Sequence, residues 1–287
     1  MTTVLQGTGA PLEIDPDGPA RIIGERINPS GRSRLLRALL EREWDHVAAE
    51  ARLQVEAGAD VIDVNVGGKG IDEEALLPEA VRAVADAVSV PLSIDTRVPA
   101  ALRAALAACP GRPLVNSISG ERRVLADNLL AVAERGVPVI ALCMGQDGIP
   151  NDPGDRIAIA HMILEAAVRA GIREDDVLFD PVVMTVGADD QAARVTLETV
   201  GRLRAAFPRH GIAGGASNVS FGMPSRPVIN AGFLTVASVM GMSIPITDPT
   251  RAEIRSALLL ADLFRGRDRR TRRFVQSMRQ AEAAATG

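Results

Sequence analysis

Three segments place carboxylates or carboxamides directly after short apolar runs: Ser93-Ile94-Asp95-Thr96, Val177-Leu178-Phe179-Asp180-Pro181 and Gly214-Gly215-Ala216-Ser217-Asn218-Val219-Ser220-Phe221-Gly222. Apolar strands do not need such residues, so their recurrence suggests one shared pocket. The chemistry they offer suits a flat, nitrogen-rich heterocycle such as a pterin, although composition alone does not choose a pterin over a purine or a sugar. A carboxylate accepts side by side from an amidine-like edge, and a carboxamide brings one donor and one acceptor to adjacent ring positions. Further residues at apparent strand ends extend the set: Glu25, Arg26 and Asn28, then Asp63 and Asn65, Asn116 and Ser117, and Asp248. Asp63 and Asn65 lie two apart, so in a strand they share a face. His46, His161 and His210 all fall outside strand ends, and paired thiols are missing there too. A catalytic triad and a metal centre therefore both lack their parts, and no metal site is expected.

The elements that must position these residues are legible as a regular alternation. Apolar, β-branched runs recur at Arg21 to Asn28, Asp60 to Val66, Val90 to Asp95, Pro113 to Ser117, Pro138 to Met144, Val177 to Pro181, Gly211 to Asn218 and Ser243 to Thr247. Each is followed by an Ala/Leu/Arg/Glu-rich segment with helical spacing. Eight strand-helix units in this length predict an α/β fold, a single (β/α)8 TIM barrel, whose active site would lie at the C-terminal strand ends. A doubly wound open sheet shows the same alternation, but no G-x-G-x-x-G follows the first strand. Gly58 and Gly171 sit where helix C-caps favour glycine. Residues 1–20 read as an irregular leader, 21–265 as the barrel, and 266–287 as a basic C-terminal helix with a fraying tail.

Composition excludes several classes. With 287 residues and 47% hydrophobic content the chain can bury one large core. No apolar run approaches the roughly 20 residues of a membrane helix, and no basic-then-apolar leader opens the chain, so a cytoplasmic location is expected. A net charge of −4 gives no footprint for nucleic acid. The basic run from Arg265 to Arg273 reads as a solvated helix face or an oligomer contact. Cys109 and Cys143 are too few for a thiolate zinc site and read as reduced core residues.

Seven motifs occur in order: Ile22-Ile23-Gly24-Glu25-Arg26-Ile27-Asn28, Asp63-Val64-Asn65-Val66-Gly67, Ser93-Ile94-Asp95-Thr96, Asn116-Ser117-Ile118-Ser119-Gly120-Glu121, Asp180-Pro181, Ser217-Asn218-Val219-Ser220 and Arg226-Pro227-Val228-Ile229-Asn230. On these the chain resembles, over roughly residues 20 to 265, the pterin-binding methyltransferases. Those enzymes move a methyl group between methyltetrahydrofolate and a corrinoid protein, and they include the folate domain of cobalamin-dependent methionine synthase. The resemblance implies a homodimeric (β/α)8 barrel that takes 5-methyltetrahydrofolate or tetrahydrofolate as substrate and holds the pterin through Asp95, Asn116 and Asp180. Asp63, Asn65, Gly215, Ser217, Glu25 and Arg226 are expected to complete the pocket. Asn218 would sit beside N5, where a carboxamide can stabilise charge as the methyl group leaves for cob(I)alamin.

The corrinoid is expected on a separate partner protein. The signature Asp-x-His-x-x-Gly is missing, since Asp45 and His46 are adjacent and Ala49 stands where the glycine would be needed. Each residue also has a plainer reading: Asp95-Thr96 as a helix cap, Asn116 and Asn218 as turn residues, Asp180-Pro181 as a strand stop, and Glu25 with Arg26 as a structural ion pair. Two rival functions are a dihydropteroate synthase and a non-catalytic pterin-binding subunit. Against the first, its Asp-Ser-Phe loop and Ser-Arg-Lys segment are replaced here by Glu25-Arg26-Ile27-Asn28 and Ser217-Asn218-Val219.

Overall fold

The computed structural model describes residues 2–286, apart from the side chains of 123–124 and 280–286. Where an irregular leader was expected, it has an antiparallel hairpin of β1 (Thr3–Leu5) and β2 (Leu12–Ile14). The strands are only three residues long and separated by Gly- and Pro-rich sequence, so periodicity alone cannot reveal them. The hairpin is fixed to the barrel by a two-way backbone bridge, Gln6 N–H to Arg112 O at 2.9 Å and Arg112 N–H to Gln6 O at 2.8 Å.

Eight parallel strands follow, each near its expected place: β3 (Ile23–Ile27), β4 (Val61–Asn65), β5 (Leu92–Asp95), β6 (Leu114–Ser119), β7 (Val139–Leu142), β8 (Val177–Asp180), β9 (Ala213–Gly215) and β10 (Ile244–Thr247). Their order is β8-β7-β6-β5-β4-β3-β10-β9. The two ends meet through Phe179 N–H donating to Gly211 O at 2.9 Å and a parallel bridge between Phe179 and Ile212. The sheet therefore curls into a barrel, which sets aside the open doubly wound alternative. The connecting helices are α1 (Ser33–Leu40) and α2 (Trp44–Glu56), α3 (Glu73–Ala87), α4 (Pro99–Ala108), α5 (Arg122–Arg135), α6 (Pro153–Arg169), α7 (Ala192–Ala206), α8 (Arg226–Met240) and α9 (Ala252–Phe264). Local chemistry fixes their ends. The Asp152 carboxylate caps α6 by accepting from the Gly154 and Asp155 N–H groups. Gly58 and Gly171, just beyond α2 and α6, take positive φ of 100° and 92° as their C-terminal positions require.

Strand periodicity divides the core in two. Outward residues such as Val64, Ile94, Val115 and Phe179 pack with Leu77, Val81, Leu102 and Leu203 of the helices. Inward residues Ile23, Val61, Leu114, Ile140, Leu178, Ala213, Ile244 and Ile246 form a separate cluster that Leu5 and Ile14 of the hairpin complete from below. The hairpin thus plugs the N-terminal end of the barrel, each fully buried side chain contributing about 1.5–3 kcal/mol by removal from water. One inward step further along the strands, apolar gives way to polar. Ile23 is followed by Glu25, Val61 by Asp63 and Asn65, Leu114 by Asn116 and Leu178 by Asp180.

The C-terminal basic run is more structural than a solvated face. Arg265 and Arg267 donate to backbone carbonyls of Ser238, Gly18 and Pro16, and Arg273 pairs with Asp262 at 2.8 Å, while Arg269, Arg270 and Arg272 are exposed. The run leads into α10 (Arg272–Thr286), and Gly287 at the end of the expected tail lies outside the described residues. Among the described residues no helix is long and apolar enough to cross a membrane.

Candidate active site

The polar layer at the C-terminal strand ends is built by register. Asn65, Asp95 and Asn116 are direct partners on β4, β5 and β6, which sets the three side chains beside one another. Asn65 Nδ2 donates to Asp95 Oδ2 at 2.8 Å, and its Oδ1 accepts from the Gly67 N–H at 2.7 Å. Asp63 lies one inward step below. Its Oδ1 accepts from Ser93 Oγ at 2.6 Å and Asn116 Nδ2 at 3.1 Å.

Burial accounts for the titration of this layer. Complete burial and then the neighbouring Asp95 charge push the Asp63 carboxyl well above its usual range. Burial also raises Asp95 to about 6, against the hydrogen bond from Asn65. An exposed aspartate would be ionised at neutral pH, whereas Asp95, at about 6, lies nearer the point of exchange and Asp63 is shifted in the same direction. The helix-cap reading of Asp95-Thr96 is not met: α4 has Val98 at its N-cap and no side-chain cap, while Thr96 Oγ1 accepts from the Val98 N–H at 3.1 Å ahead of the helix and donates to Glu73 Oε2 at 2.6 Å. With Asn116 Nδ2 engaged below, no donor among the described residues reaches its Oδ1.

Asp180 closes the layer from β8. Its Oδ1 accepts from the Val182 N–H at 2.7 Å, an Asx-turn around Pro181 that leaves Oδ2 without a partner among the described residues. Burial raises its pKa to about 6, with the Val182 hydrogen bond and the Arg156 charge opposing. Gly214 faces it: a Cβ there would stand 2.8 Å from Met242 Cε and 3.7 Å from Asp180 Oδ1.

On the opposite wall Glu25 projects from β3 and accepts from Ser217 Oγ at 2.6 Å. Burial lifts its carboxyl to about 7, partly countered by that hydrogen bond. Arg226, in the first turn of α8, donates to Ser217 O and Ser220 Oγ, both at 3.0 Å. These residues line a cavity of about 170 Å3 with Asn230 and Asp248. The alternative reading of Glu25 with Arg26 as an ion pair is not met. Successive residues of a strand point to opposite sides, and Arg26 turns outward to Glu50 and Asp248, each at 3.0 Å. Asn28 lies apart from the site, accepting from the Ser30 N–H at 2.9 Å in a turn.

Asn218 stands in the 3-10 turn Ala216–Ser220 that leaves β9, exposed at the rim, and no hydrogen bond joins its carboxamide to any described residue. It lies so close over Gly215 that a Cβ there would be 2.7 Å from Asn218 Nδ2, so the glycine is needed for the approach. Two contributors, Arg156 and Glu73, carry no signal in the sequence, because both lie on helices where a lone polar residue looks like any other, whereas Asn230 closes the Arg226-Pro227-Val228-Ile229-Asn230 motif. Among the described residues no cluster of three His, Cys, Asp or Glu is arranged to hold a metal ion.

A (β/α)8 barrel whose mouth gathers buried carboxyls and carboxamides at the C-terminal strand ends defines a class of barrel enzymes with a polar site in that position. The chain belongs within it to the pterin-binding enzyme family, whose model matches residues 24–248. It is 30% identical over 264 residues to a methylcorrinoid:tetrahydrofolate methyltransferase of Eubacterium limosum, with 91% of this chain and 97% of that protein covered. Among solved structures it resembles the dihydropteroate synthase of Yersinia pestis, with a TM-score of 0.69 and 21% identity over 93% of this chain and 100% of that one. The dihydropteroate synthase of Stenotrophomonas maltophilia gives 0.68 and 24% over 91% and 98%. At these identities the synthases share the fold.

Proposed function

We propose that this enzyme moves a methyl group between N5 of 5-methyltetrahydrofolate and the cobalt of a corrinoid carried by a separate protein. The relationship to the Eubacterium limosum enzyme, end to end at 30% identity, supports that reaction. The observation that carries it is the Asn218 carboxamide, unpartnered within the described residues and held over Gly215 at the rim of the polar layer. In the direction of folate demethylation, the cob(I)alamin electron pair attacks the methyl carbon. The cobalt–carbon bond forms as the carbon–N5 bond breaks, N5 keeps the electron pair, and a proton must reach it. The reverse direction returns the methyl group to tetrahydrofolate and releases that proton.

Asp95, Asn116 and Asp180 hold the pterin ring, with the free Asp180 Oδ2 and Asn116 Oδ1 accepting and donors on the ring supplying the N–H groups. Asn65 and Asp63 hold these acceptors in place. Asn218 Nδ2 donates to N5 as electron density builds there. Carboxyls with pKa values near 6 and 7 stand in the same layer, so proton exchange with solvent at neutral pH needs no unusual driving force. The corrinoid protein docks over the mouth, and homodimeric assembly in the cytoplasm belongs to the same reading.

The test is anaerobic visible spectroscopy of the protein with cob(I)alamin and methyltetrahydrofolate, and of the reverse pair. Protein-dependent interconversion of cob(I)alamin and methylcobalamin is expected. Tight folate binding without transfer, even with candidate corrinoid proteins, would overturn the reading. Product formed from p-aminobenzoate and dihydropterin pyrophosphate would replace it with the synthase reaction.

A further inference from the structure

Arg156 of α6 is 2% exposed, yet its guanidinium pairs with no carboxylate among the described residues. It donates instead to three backbone carbonyls: Nε to Pro150 O at 2.8 Å, and Nη1 to Pro181 O at 2.6 Å and Val182 O at 3.0 Å. Burying a cation without a counterion is costly, and a structural helix residue at this position could be any apolar side chain of similar size. The acceptors explain its presence, because both Nη1 bonds fall on the turn that carries Asp180. Val182 in that turn has a φ of 63°, a left-handed conformation that a β-branched residue adopts only under constraint. The same residue's N–H supplies the hydrogen bond that fixes Asp180 Oδ1 and so decides where Oδ2 points. From the other side, Asp180 O accepts from the Cys143 N–H at 2.9 Å.

We infer that Arg156 is a positioning residue for pterin binding: its guanidinium clamps the strained Pro181-Val182 turn to the loop after β7 and thereby aims the free Asp180 oxygen into the mouth. The inference rests on Asp180 being a pterin contact, as proposed above, and is independent of whether methyl transfer follows. The clamp joins two mouth loops, Pro150 before α6 and Pro181-Val182 after β8, through one side chain anchored on the helix between them. Arginine suits the task, since its planar fork reaches carbonyls in different directions, whereas a lysine ammonium is a single point. The charge has a second effect. Among the described residues, the ionisable and charged groups acting on Asp180 are Arg156 and the Cys143 thiol, and burial raises that thiol so far that it stays neutral. Arg156 is therefore the cation that favours the ionised, accepting form of Asp180.

The experiment is anaerobic calorimetry of tetrahydrofolate binding from pH 5 to 8 for the full chain and its variants, with thermal unfolding to confirm folding. Arg156→Lys keeps the charge and loses the fork; its affinity is expected to fall on the order of ten-fold. Adding Val182→Gly, which takes a positive φ at no steric cost, is expected to recover most of that loss. Arg156→Met also removes the charge, so the pH below which affinity declines should move upward from about 6 in this variant and not in Arg156→Lys. If Arg156→Met does not fold, the lysine variant and its glycine rescue decide alone. Wild-type affinity in Arg156→Lys, or a loss that glycine does not relieve, overturns the inference. Asp180→Asn separates the premise: if that change leaves tetrahydrofolate affinity intact, the assignment of Asp180 as a pterin contact fails, whatever Arg156 does.

Discussion

Gly215→Ala displaces Asn218 with little else disturbed. Gly215 has φ −68° and ψ 74°, which alanine adopts without entering the left-handed region, so the backbone has no reason to move. The new methyl would start 2.7 Å from Asn218 Nδ2, and ordinary contact begins at 3.4 Å. The carboxamide must therefore retreat by about 0.7 Å, and because it is exposed and unpartnered it can do so by rotating toward solvent. Stability should hold within about 0.5 kcal/mol, as for surface changes elsewhere. Transfer should not, since a displacement of this order in a reacting group costs roughly 10- to 100-fold in rate, or about 1.4–2.7 kcal/mol of barrier. The assay is single-turnover methyl transfer followed by cobalamin absorbance, beside calorimetric tetrahydrofolate binding and a melting curve. A ten-fold or greater loss in rate with affinity and melting temperature near wild type is expected. A wild-type rate would show that Asn218 does not act at N5. An equal fall in affinity and rate would mean that it binds the ring instead.

Asn218→Ala should lower turnover far more than folate affinity, while Asp180→Ala should chiefly weaken binding; steady-state kinetics and calorimetry separate the two, and equal losses in both variants would contradict the division. The pH dependence of stability has a definite sign. Asp95 and Asp180 have native pKa values of about 6 against an ordinary 3.8, and Glu25 about 7 against 4.5. Between these limits the native state binds more protons than the unfolded chain, so melting temperature should rise as pH falls from 7.5 to 5. Tetrahydrofolate affinity should decline over the same interval as the acceptors are protonated, and Asp95→Asn should flatten the stability trend. Leu5→Ala removes a fully buried side chain from the barrel's lower plug. It should cost about 2–4 kcal/mol in denaturant unfolding and leave kinetic constants unchanged, because the polar layer lies at the other end.

What the sequence reveals follows from strand geometry. The polar residues that end the apolar runs, Asp63 and Asn65, Asp95, Asn116 and Asp180, were recognisable because a strand that points alternate residues into one barrel must bring its inward positions together. Asn218 was marked by the glycines before it, whose small size the close approach requires. Two kinds of feature stayed hidden. The hairpin strands are too short for a period, and their identity as a plug depends on the barrel they enter. Arg156 sits among charged and apolar residues of α6 where a solvated arginine would look the same, since its partners are backbone carbonyls and no side-chain pattern encodes them. The Glu25–Arg26 pairing failed for a related reason. Adjacent residues invite an ion pair on paper, but the strand sends one into the mouth and the other outward to Glu50 and Asp248.

The two halves of the barrel interior oppose one another energetically. A layer holding Glu25, Asp63, Asp95 and Asp180 has its carboxyls raised by burial, and each raised pKa is free energy that folding gives up at neutral pH. Hydrogen bonds from Asn65, Ser93, Asn116 and Ser217 offset part of that cost, and they also orient acceptors that a ligand's N–H groups would satisfy. The apolar lower layer, closed by Leu5 and Ile14, supplies compensating burial where no chemistry is needed. Substituting Asp95 or Asp180 by asparagine should then stabilise the apo-protein at pH 7.5 while weakening tetrahydrofolate binding, the exchange of stability for affinity expected of a site built to bind. A variant that gained neither stability at pH 7.5 nor lost affinity would show that these carboxyls are held for reasons other than the pterin.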